Sequence, residues 1–504
     1  MGARLALALA IAASITAQES LQLKDGRFVV DKRIEAHPAG AVIHYDNGDV
    51  IVPRDAILAC TAFDVDAKEA AYPPEDQAKI EQGLVPFEGR WMKPERRDAI
   101  LQERRETRQA RIEEAKKHRF WRNHYDLETK NFHFEYTIDP EVMQRYADML
   151  EVYYKTFTKE WGIKKPRGFD RLKVCFYHDE DYFHQVGGAP KGVIGYFKFV
   201  QPIELNFFYE RLDEALTQDV LFHEANHFLT YLIDPEFFYP IWVNESLAEY
   251  YGASEWDEDK QEMIIGGLQE GRLAVLQDAI RRDELQDLEE LMRLPQGQFN
   301  ATHYAWGWSF VHFLMSDKKS EKAFKKFFLA LARDSKIDRV QHFSRIKTVE
   351  PDVAIDVFKR IMKVDDLAAL QAGWHTYVRG MRAASADGYR KAGDMALARG
   401  LPLKAQRYYR TALEMGDTNC MTHFGYGRAL YQKSKHAEAA EEFEKAIAID
   451  PLQGRFWMYL ADAKNHQHTA QPEVDRLRRL ALEIDPDDYS LMLRLIAGGK
   501  EEVK

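Results

Sequence analysis

Cysteine is scarce in this chain, because its 504 residues include only Cys60, Cys175 and Cys420. Their number is odd and they lie far apart in the sequence, which excludes a disulfide framework and leaves room for one bridge at most. The C-x-x-C spacing of a structural zinc site is also absent. A fold that depends on covalent cross-links is therefore excluded.

Positive charge is also in deficit. The formal net charge is -11 and the isoelectric point is near 5.9, and no basic stripe of the kind found in nucleic-acid-binding proteins is present. The acidic excess bears on solubility rather than on function. Beyond the first twenty residues, no apolar stretch is long enough to span a bilayer. We therefore expect a mature protein with no transmembrane segment and no nucleic-acid partner.

The N-terminal stretch MGARLALALAIAASITAQES has the pattern of a secretory signal peptide. Arg4 precedes an apolar run from Leu5 to Ala13, and small residues follow. We predict a signal peptide over residues 1–17 with cleavage after Ala17. The alternative is an uncleaved membrane anchor, for which the run is short. The expected location is secreted or periplasmic.

The length predicts two to four domains. Residues 18–62 are expected to form a small β module, because turn signals at Lys24-Asp25-Gly26 and Asp46-Asn47-Gly48 separate the β-rich runs RFVV, AVIHY and DVIVP. Residues 63–122 are charge-dense and predict a solvated helical linker, with a partner-binding coiled coil as the alternative.

Residues 123–390 have the pattern of an α+β domain. Strands are predicted for NFHFEYTI, LKVCFY, GVIGYFKF and PIELNFF, and PEVMQRYADMLEVYYKTFTKEW has helical spacing. A further helix is expected over 215–233, and the stretch from there to about 390 is predicted to be nearly all helical.

Residues 391–500 contain a repeat of 34 residues. Ala405, Tyr409 and Ala412 recur at this offset as Ala439, Phe443 and Ala446, and a degenerate third copy contains Trp457 and Ala481. The period, the small–aromatic–small spacing and the closing proline of each IDP segment are typical of tetratricopeptide repeats, which are helix pairs. An ordinary helical bundle is the alternative. The repeats predict a C-terminal α-helical domain that binds a protein partner or substrate.

The segment LFHEANHFLTYLI, residues 221–233, places two histidines and an acid in an apolar helix. Positions i and i+4 share a helix face, so His223 and His227 can direct two imidazoles at one ion. Glu224 lies beside the first of them, which completes the H-E-x-x-H pattern. The alternative is that these are core histidines satisfied by neighbouring groups.

The next segment, PIWVNESLAEYYGAS, supplies two more carboxylates. Pro235 ends the first helix, and Asn244 is expected to cap a second helix that Glu245 begins. Glu245 and Glu249 share a face of that helix. A catalytic zinc takes three protein ligands and keeps one open position, so Glu245 is the candidate third ligand. Glu249 is placed to hydrogen-bond a ligating imidazole; the alternative is a solvated helix face.

HEANH followed by WVNESLAEYYG resembles the gluzincin metallopeptidases of clan MA, which include thermolysin and the aminopeptidase N family. The resemblance implies a thermolysin-like zincin core with a mixed sheet and a helical lobe. It also implies one catalytic Zn²⁺ held by His223, His227 and Glu245, with Glu224 as general base. Seventeen residues separate His227 from Glu245, one fewer than in the aminopeptidase N family. Glu249 matches the carboxylate that supports a ligand in thermolysin-like enzymes.

The segment HYAWGWSFVHFLM, residues 303–315, resembles the part of aminopeptidase N that contains the oxyanion-stabilising tyrosine. Tyr304 would take that role, and a buried core tyrosine is the alternative. His303 and His312 are second choices for the same donor function.

One departure from the aminopeptidases concerns the segment that holds a free N-terminus. No G-A-M-E-N-type segment precedes the zinc helix, and GYFKFVQPIELNFF stands in its place. Aminopeptidase specificity is therefore not implied. Glu204 either substitutes for the missing glutamate or has a structural role at a strand edge.

The expected function is that of a secreted zinc metallopeptidase that binds an extended peptide along the strand at 203–208. The zincin resemblance covers about residues 190–320 and the repeat resemblance about 400–490. This combination also resembles bacterial secreted proteins of unassigned activity. The alternative function is a non-proteolytic scaffold, in which the repeats bind a partner and the zincin fold serves only as a binding module.

Overall fold

The structure is a computed structural model that describes residues 19–24, 27–60, 78–79, 81–87, 90–118, 120–164, 170–190, 193–210, 214–486 and 491. The predicted signal peptide, part of the turn at residues 24–26, the last two residues of the predicted β module and residues 63–77 of the predicted linker lie outside the described residues. The chain divides into two compact units. The first comprises residues 1–113, 447–465 and 469–487, and the second comprises residues 114–446, 466–468 and 488–504.

Strands are concentrated in the first half of the chain. In chain order they are β1 (Glu19–Leu23), β2 (Phe28–His37), β3 (Gly40–Tyr45), β4 (Gly48–Pro53), β5 (Ile57–Cys60), β6 (Val85–Phe87), β7 (Arg90–Met92), β8 (Tyr125–Glu128), β9 (Phe132–Tyr136), β10 (Leu172–Tyr177), β11 (Gly195–Lys198), β12 (Glu204–Phe208), β13 (Glu255–Asp257), β14 (Glu262–Ile264), β15 (Val340–Phe343) and β16 (Ile346–Thr348).

Helices make up most of the rest. They are α1 (Pro94–His118), α2 (Pro140–Trp161), α3 (Glu180–Gln185), α4 (Glu214–Tyr231), α5 (Ile241–Gly252), α6 (Glu270–Arg281), α7 (Leu288–Arg293), α8 (Ala301–Met315), α9 (Lys318–Arg333), α10 (Pro351–Met362), α11 (Leu367–Arg379), α12 (Ala386–Ala398), α13 (Pro402–Glu414), α14 (Cys420–Tyr431), α15 (His436–Ile449), α16 (Gly454–His466) and α17 (Gln471–Ile484). None of the described helices combines the length and the apolar character needed to cross a bilayer.

The first unit is built on an antiparallel sheet with strand order β4-β3-β2-β1-β5. Its strands contain the predicted β-rich runs, and the predicted turn at Asp46-Asn47-Gly48 connects β3 to β4. Gly48 has a φ of 149°, a conformation that glycine adopts readily. The predicted β module is therefore a five-stranded sheet.

The apolar face of this sheet is covered by α17, at the C-terminal end of the described chain. Leu480 of α17 is buried in one cluster with Leu21 and Ile43 of the sheet. Polar contacts surround that cluster: the backbone N–H of Asn47 donates to Glu483 at 3.1 Å, and Arg27 pairs with Asp450 at 2.9 Å. No pattern in the sequence predicts this contact between the β module and the repeat region.

The second unit contains a mixed sheet with strand order β11-β12-β10-β9-β8. The three inner strands are parallel, and β8 and β11 run antiparallel to them at the two edges. Apolar residues of α2 and α4 share one core with the sheet. The helix predicted over PEVMQRYADMLEVYYKTFTKEW is confirmed with the same bounds, and Asp139 caps its N-terminus.

The α+β prediction is confirmed, but the stretch after residue 233 is less purely helical than expected. Two short hairpins, β13–β14 and β15–β16, interrupt the helices. Helical periodicity in the flanking segments concealed strands of only three or four residues. Cys175 lies buried in β10 as a free thiol, and burial raises its pKa to about 12.

The repeat positions form the contacts between successive helices. Ala405, Tyr409 and Ala412, with their equivalents Ala439, Phe443 and Ala446, are all fully buried. A side chain at Gly427 would meet the ring of Phe443 at 2.5 Å, so glycine is what lets α14 and α15 approach. The predicted C-terminal array of helix pairs is therefore confirmed.

Candidate functional site

Helix α4 presents its polar residues on one face. Leu221, Phe222 and Ala225 are buried on the core side, whereas His223, Glu224 and His227 line a cavity. One turn of helix separates the two imidazoles, and their Nε2 atoms lie 3.3 Å apart. The predicted helix at 215–233 is observed at Glu214–Tyr231.

Helix α5 brings Glu245 to the same cavity, although it does not begin where predicted. The helix starts at Ile241 after Pro240, so Asn244 is a buried residue of its first turn rather than its N-cap. Burial of the apolar residues that precede Asn244 outweighed its capping preference. At the other end, Gly252 lies close to α4, because a Cβ there would be 3.5 Å from the Cβ of His223.

Three donor atoms converge between these helices. Oε2 of Glu245 lies 3.3 Å from Nε2 of His223 and 3.6 Å from Nε2 of His227. Two ligands about 2.0–2.1 Å from a tetrahedral ion lie about 3.4 Å apart, so all three separations suit a zinc-sized ion. His223, His227 and Glu245 form one of two groups among the described residues with metal-ligand spacing. The donor set and its spacing therefore fit the ion predicted from the sequence.

Glu249 lies one turn after Glu245 and links His223 to an arginine. Its Oε1 is 3.4 Å from Nδ1 of His223, and both of its oxygens accept hydrogen bonds from Arg272, at 2.6 and 2.5 Å. Burial acts to raise the pKa of Glu249, but the charge of Arg272 and the contact with His223 lower it to about 2. Glu249 is thus ionised, and it lies against Nδ1 of His223, the place that its spacing predicted.

The remaining pKa shifts follow from burial and from opposite charges. Burial disfavours a charged His223, but its hydrogen bonds to Glu245 and Glu249 raise its pKa to about 10. The pKa of Glu245 lies well below its usual value, because the histidines outweigh its burial. Burial raises the pKa of Glu224, against the opposing charges of His223 and His227. The carboxyl of Glu224 therefore holds a proton more readily than the carboxyl of an exposed glutamate does.

Tyr304 lies on the opposite wall of the cavity, in the first turn of α8. Its ring centroid is 6.4 Å from that of His223, and burial raises the pKa of its hydroxyl. The two second choices lie elsewhere. Nδ1 of His303 accepts a hydrogen bond from the backbone N–H of Asn300 in a capping box, and His312 contacts the hydroxyl of Tyr377 at 2.7 Å. Neither histidine lines the cavity.

The cavity has a volume of about 680 Å³ and is flanked by the edge strand β11. The strand predicted to bind an extended peptide, β12, is paired on both sides, so that prediction is wrong. Among the described strands, the unpaired edge on this side of the sheet belongs to β11, whose residues Gly195, Tyr196 and Phe197 line the cavity. Glu204 lies 3.7 Å from Lys173 and 3.6 Å from Lys198 and does not line the cavity, which leaves it the structural role.

Two arginines of the cavity wall were not predicted. Arg272 is buried among apolar residues of α6, a position that in itself signals an ion pair. Arg399 follows α12 in the repeat region, and its guanidinium lies 4.7 Å from the ring centroid of Tyr304. No pattern in the sequence around Arg399 indicates that it lies near Glu245, because more than 150 residues separate the two.

Two family profiles match parts of the chain. Residues 390–453 and 427–489 match the tetratricopeptide repeat, and residues 219–338 match a family described as a protein of unknown function, DUF1570. The C-terminal region therefore contains tetratricopeptide repeats, which indicate protein partners. The DUF1570 match includes His223, His227, α5 and Tyr304, but its description assigns no activity.

Comparisons with curated proteins and with solved structures do not assign a function to the chain. No curated protein matches the chain. Among solved structures, the chain is similar to one described as "Crystal structure of YrrB: a TPR protein with an unusual peptide-binding site", with 12% identity and a TM-score of 0.22. The match covers 44% of this chain and 98% of that chain, and at this TM-score it carries no structural argument.

Proposed function

We propose that this protein is a zinc metallopeptidase with a gluzincin-type site, whose tetratricopeptide repeats bind a substrate or partner protein. The observation that carries the proposal is the convergence of Nε2 of His223, Nε2 of His227 and Oε2 of Glu245 at separations of 3.3–3.6 Å, next to Glu224. Two imidazoles and one carboxylate are the ligand set of thermolysin-type zinc sites.

His223, His227 and Glu245 would hold the ion, and Glu249 would fix the ring of His223 through Nδ1. When bound, zinc supplies a Lewis acid and lowers the pKa of water towards neutrality. Glu224 faces the same space and acts as the general base that accepts a proton from water and passes it to the leaving amine. Its raised pKa suits a group that must both accept and return a proton.

Tyr304 and β11 would position the peptide. The hydroxyl of Tyr304 faces the cavity, is kept protonated by burial, and donates a hydrogen bond to the oxyanion as it develops. The outer edge of β11, which no described strand pairs, offers backbone groups to an extended chain beside Phe197, whose backbone hydrogen-bonds to Glu224. Both features support hydrolysis of a peptide bond rather than of a small ester or phosphate.

The location of the enzyme follows from the N-terminal sequence. An arginine followed by a short apolar run and small residues supports export, so we place the protein in a secreted or periplasmic location. Mass spectrometry of the protein from its native compartment checks this, since a mature chain beginning near residue 18 is the expected result.

The test compares the full-length wild type with Glu224→Gln, Glu245→Gln and the matched control Glu258→Gln, which alters an exposed glutamate outside the cavity. Zinc content is measured by elemental analysis, and cleavage of an unfolded protein is followed with and without a chelator. We expect one zinc per chain in all but Glu245→Gln. We expect chelator-sensitive cleavage in the wild type and the control, and a loss of roughly 10²-fold or more in Glu224→Gln.

The alternative is a scaffold without proteolysis, which the repeat match favours. Zinc in the wild type without cleavage of any substrate would support that alternative. Equal cleavage by Glu224→Gln and wild type would remove Glu224 from the mechanism, and a wild type that binds no zinc would end the metallopeptidase proposal.

A further inference from the structure

Arg399 is held in a fixed backbone position at the end of α12. Gly400 has a φ of 68°, its N–H donates to the carbonyl of Leu397, and the N–H of Leu401 donates to that of Ala396, both at 2.9 Å. These two hydrogen bonds form a Schellman motif, which ends the helix at Ala398 with Arg399 as its C-cap residue. The chain then turns into α13, and both Arg399 and Leu401 line the cavity.

Close packing of α12 against α6 sets the position of this helix end relative to the histidines. A Cβ at Gly271 would overlap Cε of Met395 and would lie 3.3 Å from the backbone nitrogen of Ala392, so the two helices are in close contact at this glycine. Gln269 extends the contact with a hydrogen bond to Sδ of Met395 at 3.8 Å. Arg272 lies on the same turn of α6, so the two arginines belong to one packed wall.

The two arginines differ in how their charges are balanced. Arg272 donates two hydrogen bonds to the ionised carboxylate of Glu249. Arg399 forms no hydrogen bond or ion pair through its guanidinium with any residue that the structure describes. Its guanidinium lies 4.7 Å from the ring centroid of Tyr304, and the carboxylates of Glu249 and Glu245 attract it without forming an ion pair. An unpaired charge in a partly buried wall is costly. Burial and the nearby charge of Arg272 accordingly lower the pKa of Arg399.

Arg390 of α12, in contrast, forms ion pairs with carboxylates of its own helix. Arg390 donates to Asp387 at 2.8 Å and to Asp394 at 2.5 Å. Arg399, two turns further on, faces the cavity instead of a carboxylate of the protein. An anion that pairs with the guanidinium of Arg399 would therefore have to lie inside the cavity.

We propose that Arg399 binds a carboxylate of the substrate, so that the first repeat helix determines which peptides the cavity accepts. This inference rests on the proposed peptidase function for the identity of the substrate. A guanidinium matches a carboxylate through two parallel hydrogen bonds. Two ring contacts, 4.7 Å from Arg399 to Tyr304 and 6.4 Å from Tyr304 to His223, connect this site to the histidines. The carboxylate therefore lies close to the bond that is cleaved.

A peptide offers such a carboxylate at its C-terminus or on an Asp or Glu side chain. The test measures binding by calorimetry to the full chain carrying Glu224→Gln, which prevents turnover. The probes are acetyl-Ala-Phe-Ala as free acid and as C-terminal amide, and the amidated pair acetyl-Ala-Asp-Ala-amide and acetyl-Ala-Asn-Ala-amide. The free acid distinguishes a C-terminal carboxylate from the side chain that the aspartyl peptide presents.

The variants are Arg399→Gln, Arg399→Lys and the matched control Arg410→Gln, which removes an exposed arginine of α13 outside the cavity. We expect Arg399→Gln to weaken binding of one of the carboxylate probes by roughly 10- to 100-fold and to leave its neutral counterpart unchanged. Arg399→Lys should restore part of the affinity, and Arg410→Gln should bind as the parent does.

The inference is overturned if Arg399→Gln, with an unfolding midpoint like that of Arg410→Gln, binds both carboxylate probes as tightly as the parent. It is also overturned if, in chains that retain Glu224, Arg399→Gln lowers kcat equally for acid and amide peptides with KM unchanged, because that result assigns Arg399 to the oxyanion. If carboxylate binding depends on Arg399 but the wild type cleaves no peptide, the peptidase proposal fails while the carboxylate site stands.

Discussion

Arg272 holds the carboxylate of Glu249 at both oxygens, with Nε to Oε2 at 2.6 Å and Nη2 to Oε1 at 2.5 Å. Both side chains are almost completely buried, with 4% and 5% of their surfaces exposed. Since Glu249 also contacts Nδ1 of His223, the orientation of one proposed zinc ligand depends on an arginine that lies on another helix.

Arg272→Gln should therefore weaken both the fold and the metal site. Breaking a buried ion pair by removing one partner costs about 3–5 kcal/mol, because the other charge is left unpaired. Loss of a group that orients a ligand typically lowers metal affinity by about 10- to 100-fold. Denaturant unfolding and competition with a zinc indicator measure the two effects.

The double variant Arg272→Gln/Glu249→Gln separates the effect on stability from the effect on zinc affinity. Removing both charges should recover most of the stability, but zinc affinity should stay low, because His223 then has no anionic partner at Nδ1. Recovery of wild-type zinc affinity in the double variant would show that Glu249 has no part in orienting His223.

Tyr304→Phe removes one hydroxyl from the cavity wall. If that hydroxyl stabilises the oxyanion, kcat should fall by roughly 10²- to 10³-fold while KM and zinc content change little. Tyr377→Phe is the control, since its hydroxyl contacts His312 outside the cavity. Steady-state kinetics with an internally quenched peptide provide the measurement, and full activity of Tyr304→Phe would exclude this role.

Gly393 and Gly373 should respond to alanine with opposite signs. A Cβ at Gly393 would lie 2.6 Å from Cε1 of Tyr409, whose ring is fully buried, so Gly393→Ala should destabilise the second unit by about 1–3 kcal/mol. Gly373 is exposed on α11, and a methyl group there would come no closer than 3.9 Å to any described atom outside its own helix turn. Gly373→Ala should therefore stabilise by about 0.5–1 kcal/mol. The two variants are compared by their midpoints of denaturant unfolding. Equal midpoints would contradict the prediction that a methyl group clashes at residue 393 and not at residue 373.

Glu442 should make the stability of the repeats depend on pH. Its burial opposes ionisation, but hydrogen bonds from His423 and Lys445 outweigh that effect and lower the pKa of Glu442. A lowered pKa gives stability that is fully present above the pKa of the unfolded chain, about 4.3, and is lost as the pH falls through the folded value. Wild type should therefore lose its advantage over Glu442→Gln as the pH falls from about 6 to about 3.

Thermal unfolding at several pH values across that window measures the difference. Glu441→Gln, an exposed neighbour on the same helix, serves as the control and should track the wild type throughout. A gap between wild type and Glu442→Gln that is constant with pH would mean that the carboxylate does not titrate with folding.

The sequence predicts best those features that lie within one segment. Helix α2 has the predicted bounds, because Asp139 and Pro140 mark its start and Gly162, with a φ of 61°, marks its end. The face shared by His223 and His227 follows from helix geometry alone. The same holds for the repeat, whose buried positions recur at a fixed offset.

Features that depend on several segments were not predictable in this way. The alternation of apolar residues identifies β12 as a strand but not as an inner one, because the order of strands in a sheet depends on partners distant in sequence. The start of α5 was misplaced because tertiary burial of Ile241 and Trp242 overrides local capping preference. Arg399 reaches the cavity only through the packing of α12 against α6.

The contact between the N-terminal sheet and α17 has a consequence during synthesis. Asn47 and Glu483, which meet in the folded unit, are 436 residues apart. At about 5–20 residues per second, a ribosome needs roughly 20–90 s to make the chain between them. The hydrophobic face of the nascent sheet stays exposed to solvent for that whole interval. Chaperones that bind exposed hydrophobic surface should therefore raise the yield of folded protein.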